Sequence, residues 1–270
     1  MTPPDDPRSL SALLVMEIGN SHVSIATVVG GQVFSNQRFN HDQKDDILKA
    51  AENAWNALPP EQVRAIAAAS VVPKVLEALR EPMAERLASD VLVVGEDLHR
   101  PLSLAVETPE TVGIDRVCSA AAAYETFKHA CVVASFGTAI TIDCVNDEGV
   151  FMGGAILPGL DMQARALHER TAQLPLAAID APAGVFGGST DEAIRHGVVL
   201  GAVGALREIT ERYATALNAW PDLVVCGGNA ELISKHTDII DRVVPDLCIR
   251  GIAVAFRRHF SPIPDTEEDA

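Results

Sequence analysis

The chain has 270 residues, of which 48% are hydrophobic, so it is long enough for two modest domains with buried cores. Its formal net charge of −16 argues against nucleic acid and anionic membrane as partners, because both are polyanions. The five cysteines form no CxxC pair, which is typical of small core residues in a reducing cytoplasm. No uncharged apolar run is long enough to cross a membrane.

The first predicted feature along the chain is a strand hairpin that recurs later. Residues 13–21 form an apolar run that ends in Gly19 and small polar residues, and an alternating stretch then leads to a turn at Gly31. Residues 131–139 repeat this pattern, with Gly137 and Gly149 at the matching places. Both landmarks recur at the same interval of 118 positions (137 − 19 and 149 − 31). Two such hairpins predict two similar halves that face each other across a ligand cleft.

Helical spacing and short apolar runs alternate through the rest of the chain. Helices are predicted over residues 42–58, 74–89, 117–128, 160–170 and 190–217. Buried strands are predicted within residues 63–72, 91–95 and 223–226. This alternation predicts an α/β fold with mixed sheets. Residues 1–10 and 261–270 are rich in proline or acidic residues and are expected to be flexible tails.

Three glycine turns are candidate phosphate-binding sites. Gly19 and Gly137 have no Cβ, so a ligand can approach their backbone closely. Gly227 and Gly228 follow a buried strand and are predicted to open a helix whose N-terminus can hold an anion. A single turn of this kind is more often an ordinary hairpin turn, and only the repetition favours a nucleotide site. The neighbouring short donors are Asn20, Ser21, Thr138 and Thr141.

Four charged residues are candidates for the chemistry. Asp115 and Arg116 enter a helix and could hold a substrate hydroxyl and take its proton. The alternative is that Asp115 caps the helix and Arg116 forms a surface ion pair, which these residues by themselves favour. Glu17 and Asp143, one from each half, could hold Mg²⁺ against phosphates, and Asp143 alternates with Thr141 on one strand face.

From about residue 13 to about residue 256, the chain resembles the type III pantothenate kinases. These belong to the acetate-and-sugar-kinase and actin-like ATPase superfamily. The resemblance is carried by the runs GIDR, FGTAITID, GGAILPG, RTAQLP and CGGN, at residues 113–116, 136–143, 153–159, 170–175 and 226–229. It implies a homodimer of two-domain chains, with ribonuclease-H-like domains over residues 11–118 and 119–260. The implied reaction is the ATP-dependent phosphorylation of pantothenate, the first step toward coenzyme A.

The resemblance also implies roles for individual residues, with ATP and Mg²⁺ as the cofactors. Asp115 matches the general base within a pantothenate loop of Gly113, Ile114, Asp115 and Arg116. Thr190 matches a substrate contact near the dimer interface, and Val106 stands in the pantothenate pocket. The implied nucleotide contacts are Glu17, Gly19, Asn20, Ser21, Gly137, Thr138, Thr141, Gly227 and Gly228.

The chain departs from the usual family pattern at four positions. Glu17 and Ser24 stand where Asp and Lys are usual, and Val106 stands where Tyr is common. Ser135 replaces the Asp that binds a monovalent cation, and a neutral hydroxyl binds K⁺ or NH₄⁺ poorly, so Ser135 is not expected to be a ligand. These departures keep two alternatives open: a catalytically impaired homologue that binds ligands or regulates, and a kinase for another small hydroxylated substrate.

Overall fold

The computed structural model describes residues 11–260, and its first sheet has five strands. They are β1 (Ala12–Ile18), β2 (His22–Val29), β3 (Gln32–Asn40), β4 (Arg64–Ser70) and β5 (Val91–Val93). Their order is β3-β2-β1-β4-β5, in which β1, β2 and β3 are antiparallel while β4 and β5 run parallel to β1. Two helices accompany this sheet, α1 (Lys44–Ala57) and α2 (Pro73–Leu87).

The second sheet repeats the topology of the first. Its strands are β6 (Cys131–Phe136), β7 (Ala139–Val145), β8 (Phe151–Pro158), β9 (Asp222–Cys226) and β10 (Arg242–Val243), in the order β8-β7-β6-β9-β10. Again the first three strands are antiparallel and the last two are parallel to the first. The predicted repeat and the predicted α/β, ribonuclease-H-like fold class are confirmed. The remaining helices are α3 (Ile114–Phe127), α4 (Leu160–Arg170), α5 (Thr190–Leu217), α6 (Ala230–Ser234), α7 (Leu247–His259) and a 3₁₀ turn at Pro109–Thr111.

The chain divides into two compact units. Unit 1 runs through Pro101 and resumes at Ile249, and unit 2 is Leu102–Cys248. The predicted domain limits, residues 11–118 and 119–260, stay a prediction; the predicted boundary falls inside α3, which belongs to unit 2. Most of α7 belongs to unit 1. The expectation of flexible tails at 1–10 and 261–270 lies outside the described residues.

Each unit has an apolar core between its sheet and its helices. In unit 1, β1 is buried along nearly its whole length, because it is a central strand with neighbours on both edges. In unit 2, side chains of β6 and β7 pack against one face of α5. None of the helices within residues 11–260 has the length and apolarity needed to span a bilayer.

The helix predictions hold closely, and the C-terminal part of the chain shows where periodicity fails. The bounds predicted for α4 and α5 match those observed. The helix predicted after Gly227 and Gly228 is α6, which has only five residues, so its dipole at the turn is small. The spacing of residues did not predict β10 or α7. The strand β10 has only two residues and therefore little sequence signal, whereas α7 is an amphipathic helix of 13 residues whose periodicity was missed.

Candidate active site

The first turn of α3 carries the predicted base. Gly113 is the N-cap residue and makes no side-chain cap, so helix α3 begins at Ile114 and places Asp115 in its first turn. One carboxylate oxygen of Asp115 accepts the backbone N–H of Arg116 at 2.9 Å. Burial raises the pKa of the Asp115 carboxyl, while the N–H and the guanidinium of Arg116 oppose that rise. Asp115 is therefore a stronger base than an exposed aspartate.

The side chain of Arg116 is held by Asp143 of β7. The Nε of Arg116 donates to both carboxylate oxygens at 3.1 Å, and Nη2 donates to Oδ1 at closer range. The side chain of Asp143 is 1% exposed and that of Arg116 is 15% exposed. The prediction of a surface ion pair for Arg116 is thus wrong, because its partner is a buried strand residue rather than a helix neighbour. The Phe151 ring lies 5.7 Å from the guanidinium carbon.

The sequence predicts Asp143 as a Mg²⁺ ligand, but the structure gives its carboxylate other partners. Arg116 contacts both of its oxygens, and the side chain of Thr141 also hydrogen-bonds to it. Burial raises the pKa of Asp143, and the contacts with Arg116 and Thr141 lower it again. Thr141 and Asp143 do share a strand face, as their alternation predicted, but both are used to hold Arg116.

The opposite strand, β8, leaves room for this ion pair. Gly154 lies opposite Asp143 in the sheet, and Gly153 lies opposite Cys144. A Cβ on Gly154 would collide with Asp143 Oδ1 and with the backbone carbonyl of Ile142, so only glycine fits there. A Cβ on Gly153 would lie 3.3 Å from Val106 Cγ1, which brings the predicted pocket residue beside the same strand.

The glycine turns of unit 2 pack against one another through their backbones. Gly227 has a φ of +91°, and a Cβ on it would lie 2.6 Å from the backbone of Phe136, next to Gly137. The backbone N–H of Asn229 donates to the carbonyl of Phe136 at 3.1 Å. The backbone N–H of Gly159 donates to the carbonyl of Thr138 at 3.2 Å. The predicted phosphate turns at Gly137 and Gly227 therefore lie side by side, with Gly228 open to approach.

The matching turn of unit 1 is held by a histidine that the sequence did not single out. The Gly19 N–H donates to the carbonyl of His22 at 3.0 Å, and the Gly19 carbonyl lies 2.9 Å from His41 Nε2. The next two residues of the turn, Asn20 and Ser21, are both exposed. His41 follows β3, and no spacing rule relates it to Gly19; only the pairing of β2 with β3 brings them together.

Three further predicted residues lie outside the Arg116–Asp143 ion pair. Glu17 is half-buried near the end of β1, opposite Ser24 of β2. Ser135 of β6 lies opposite Thr141 of β7 and Cys226 of β9. Thr190 is the first residue of α5 and is exposed. Within residues 11–260, no three His, Cys, Asp or Glu side chains gather into a metal-binding group.

An exposed apolar surface lies on unit 2. Leu200 of α5 is exposed, and it is flanked on the same helix face by three glycines. A Cβ on any of those glycines would meet no heavy atom of another element within 4 Å, so nothing packs closely against them within residues 11–260. The surrounding unit also exposes other large apolar side chains. The glycines are Gly197, Gly201 and Gly204, and the apolar residues are Met152, Ile156, Met162, Val185 and Phe186.

Comparison with known proteins connects these features to one enzyme family. A family model described as type III pantothenate kinase matches residues 13–212. The type III pantothenate kinase of Dehalococcoides mccartyi is 31% identical over 252 residues, which cover 91% of this chain and 97% of that protein. The type III pantothenate kinase of Rhodospirillum rubrum is 38% identical over 192 residues, covering 71% and 75%.

Solved structures support the same fold. A Campylobacter jejuni protein named as a Baf family transcriptional activator has a TM-score of 0.59 and 20% identity, covering 91% of this chain and 98% of its own. At that identity the similarity concerns the fold alone.

Proposed function

The chain belongs to the type III pantothenate kinase family, and we propose that it transfers the γ-phosphoryl group of ATP to the terminal hydroxyl of pantothenate. The observation that carries this proposal is Asp115, a half-buried carboxylate with a raised pKa in the first turn of α3. Its neighbour Arg116 is fixed by a buried ion pair, so the loop is built for a defined geometry. These features favour the active kinase over an impaired homologue.

In this proposal Asp115 accepts the proton of the substrate hydroxyl. Loss of that proton lets the oxygen attack the γ-phosphorus in line with the departing ADP. Gly113 and Ile114 form the backbone that presents the carboxylate, and Arg116 binds the substrate beside it. Val106 and Thr190 complete the substrate contacts in our assignment. The chemistry needs little more than positioning and charge stabilisation, since phosphoryl transfer has a loose transition state.

The glycine turns are assigned to the nucleotide. In unit 2, Gly137 and Gly228 leave room for the nucleotide at two adjoining turns, and Thr138 brings a hydroxyl there. The Gly137 N–H itself donates to the carbonyl of Ala139 at 3.1 Å. In unit 1, Gly19 and Asn20 form the corresponding turn, fixed by its bond with His41. Backbone N–H groups in such turns suit phosphate oxygens. We assign the same role to Ser21 and Gly227, and not to Thr141, because the Thr141 hydroxyl already hydrogen-bonds to Asp143.

The metal assignment rests on Glu17. Mg²⁺ in kinases is bound by one or two carboxylates together with substrate phosphates, so a cluster of protein ligands is not required. Glu17 fits that role because it precedes the Gly19 turn on β1. Asp143 is assigned to Arg116 instead of to the metal, since its oxygens already accept hydrogen bonds from Arg116. When bound, Mg²⁺ neutralises the charge that develops on the phosphates.

We further propose that the enzyme is a homodimer of the cytoplasm. The support for the dimer is the exposed face of α5 that carries Leu200 and three glycines, because glycines let a second backbone approach an exposed leucine closely. The five buried cysteines, none of them in a disulfide, support a reducing compartment.

A coupled assay tests the proposed reaction. Purified protein is supplied with pantothenate, ATP and Mg²⁺, and ADP release is followed, with the variant Asp115→Asn as the control. Turnover that depends on pantothenate and is lost in Asp115→Asn is the expected result. Absence of turnover in folded wild-type protein contradicts the proposal.

A further inference from the structure

The charged groups beside Asp115 carry an inference that goes beyond the assignment of the base. Asp115 and Arg116 are neighbours in sequence, so a guanidinium and the catalytic carboxylate share one helix turn. An arginine that folds back onto an adjacent carboxylate forms a tight ion pair and lowers the basicity of that carboxylate. The structure directs the guanidinium elsewhere, onto Asp143 of the neighbouring β7.

We propose that Asp143 is a positioning residue that keeps the Arg116 guanidinium off the Asp115 carboxylate, so that Asp115 remains free to accept the substrate proton. This inference rests on the proposed function. Three observations carry it: the two-oxygen contact from Nε at 3.1 Å, the 1% exposure of Asp143, and the glycine at position 154 that makes room for its carboxylate.

Hydrogen bonds and packing fix the geometry of the Arg116–Asp143 ion pair. Two charges taken out of water need several well-formed hydrogen bonds, and Asp143 receives them from Arg116 and from Thr141. The Phe151 ring packs near the guanidinium. The Nη1 hydrogens of Arg116 make no hydrogen bond with residues of the described chain, so they stay available to a substrate oxygen.

The charges around Asp115 determine in which direction its pKa changes when Asp143 loses its charge. Asp115 interacts electrostatically with the Arg116 cation and with the Asp143 anion. Tyr213 of α5 interacts electrostatically with Arg116 and with Asp143. Removing the charge of Asp143 removes one carboxylate that disfavours ionisation of Asp115. It also releases a cation that favours ionisation. Both changes lower the pKa of Asp115, so the acid limb of the pH profile moves to lower pH and the base becomes weaker.

The test compares Asp143→Asn with wild type in the coupled assay across pH. Circular dichroism establishes that each variant is folded. We expect kcat to fall by about 10- to 100-fold, and we expect the acid limb of kcat to move down by about one pH unit. Asp143→Glu should restore part of kcat. The matched control is Asp241→Asn. Asp241 is another hydrogen-bond acceptor of unit 2, and its carboxylate accepts the Leu223 N–H at 2.8 Å. This variant should leave kcat and the position of the acid limb unchanged.

The double variant Asp143→Asn with Arg116→Gln separates this role from a merely structural one. Without the guanidinium, residue 116 cannot form an ion pair with Asp115, so the acid limb should return to the wild-type pH or above it. A fall in kcat with an unmoved limb in Asp143→Asn would overturn the inference. If Asp143→Asn does not fold, the double variant decides alone, because it removes both buried charges, and a limb below wild type would then overturn it.

A readout without turnover distinguishes failure of this inference from failure of the proposed function. The Asp115 carboxyl is titrated by carbon NMR in wild type and in Asp143→Asn. The expected result is a lower pKa in the variant, whether or not pantothenate is phosphorylated. An unchanged titration would refute the positioning role even in an active enzyme.

Discussion

In the proposed role of base, Asp115 serves the reaction at the expense of stability. Burial raises the pKa of its carboxyl in the folded chain, so the fold favours the protonated form. Protonation of Asp115 therefore stabilises the folded chain, and that stabilisation is lost as pH rises through the raised pKa. Turnover has the opposite pH dependence, because the proposed base can accept a proton only when it is deprotonated. Activity is therefore expected to fall as pH drops through this pKa.

The variant Asp115→Asn tests this opposition. We expect turnover to fall by at least ~100-fold, the usual contribution of a general base. The midpoint of thermal unfolding should be unchanged or higher, because a neutral amide avoids the desolvation of a charge and can still accept the Arg116 N–H. Differential scanning calorimetry and the coupled assay measure the two effects. A variant with near-normal turnover would remove Asp115 from the role of base.

Ser135 gives a second prediction about a single side chain. It occupies a β6 position between Thr141 and Cys226, and a neutral hydroxyl is a poor ligand for K⁺. We expect equal turnover in sodium and potassium buffers of the same ionic strength. The variant Ser135→Asp should introduce activation by potassium. A strong requirement of the wild-type enzyme for potassium would contradict this prediction.

Among the strands, β8 sets the shape of the candidate site through a residue without a side chain. Gly154 faces Asp143 across the sheet, and a Cβ there would lie 2.8 Å from Asp143 Cα. The neighbouring atoms belong to the backbone of β7, so they cannot move aside cheaply. A glycine at this place is thus part of the structure that holds Arg116, although it contacts no ligand.

We expect Gly154→Ala to lower the free energy of unfolding by ~1–3 kcal/mol, the usual cost of overpacking. It should also lower kcat, because the carboxylate of Asp143 must shift. Gly188→Ala is the matched control, since a Cβ at Gly188 meets no atom within 4 Å. Urea unfolding followed by circular dichroism measures the difference. Equal stability of the two variants would show that the sheet yields more easily than the geometry indicates.

The exposed surface of α5 concerns the assembly of complete chains. Leu200 and the three glycines beside it form one helix face that is open in the described chain. Glycines allow the backbones of two helices to approach closely, and an exposed apolar patch of this kind is typical of an interface. A second copy of the chain is the partner that the proposed homodimer supplies.

The variant Leu200→Asp tests the dimer. A buried unpaired charge at the interface should turn the dimer into monomer at micromolar concentration, as measured by sedimentation velocity. Phe34→Asp is the control, because Phe34 is 67% exposed on unit 1 and lies outside this surface. A wild-type protein that sediments as a monomer, or a Leu200→Asp variant that remains a dimer, would contradict the proposal.

The sequence alone determined the architecture and most of the residues to be tested. Apolar periodicity and turn chemistry are local, so they predicted the duplicated hairpins, the bounds of α4 and α5, and the glycine turns. The run GIDR, read with the other runs, identified Asp115 as the candidate base. Such features are encoded by residues close together in the chain, and one sequence is enough to recognise them.

Contacts between distant residues depended on the three-dimensional fold. Arg116 and Asp143 lie 27 positions apart, and no local rule pairs them; the packing of α3 beside β7 does. The same holds for His41 and Gly19, which meet because β3 returns along β2. Burial then turned a carboxylate predicted to bind metal into the buried partner of an arginine, since desolvation and partner choice arise only when strands and helices assemble.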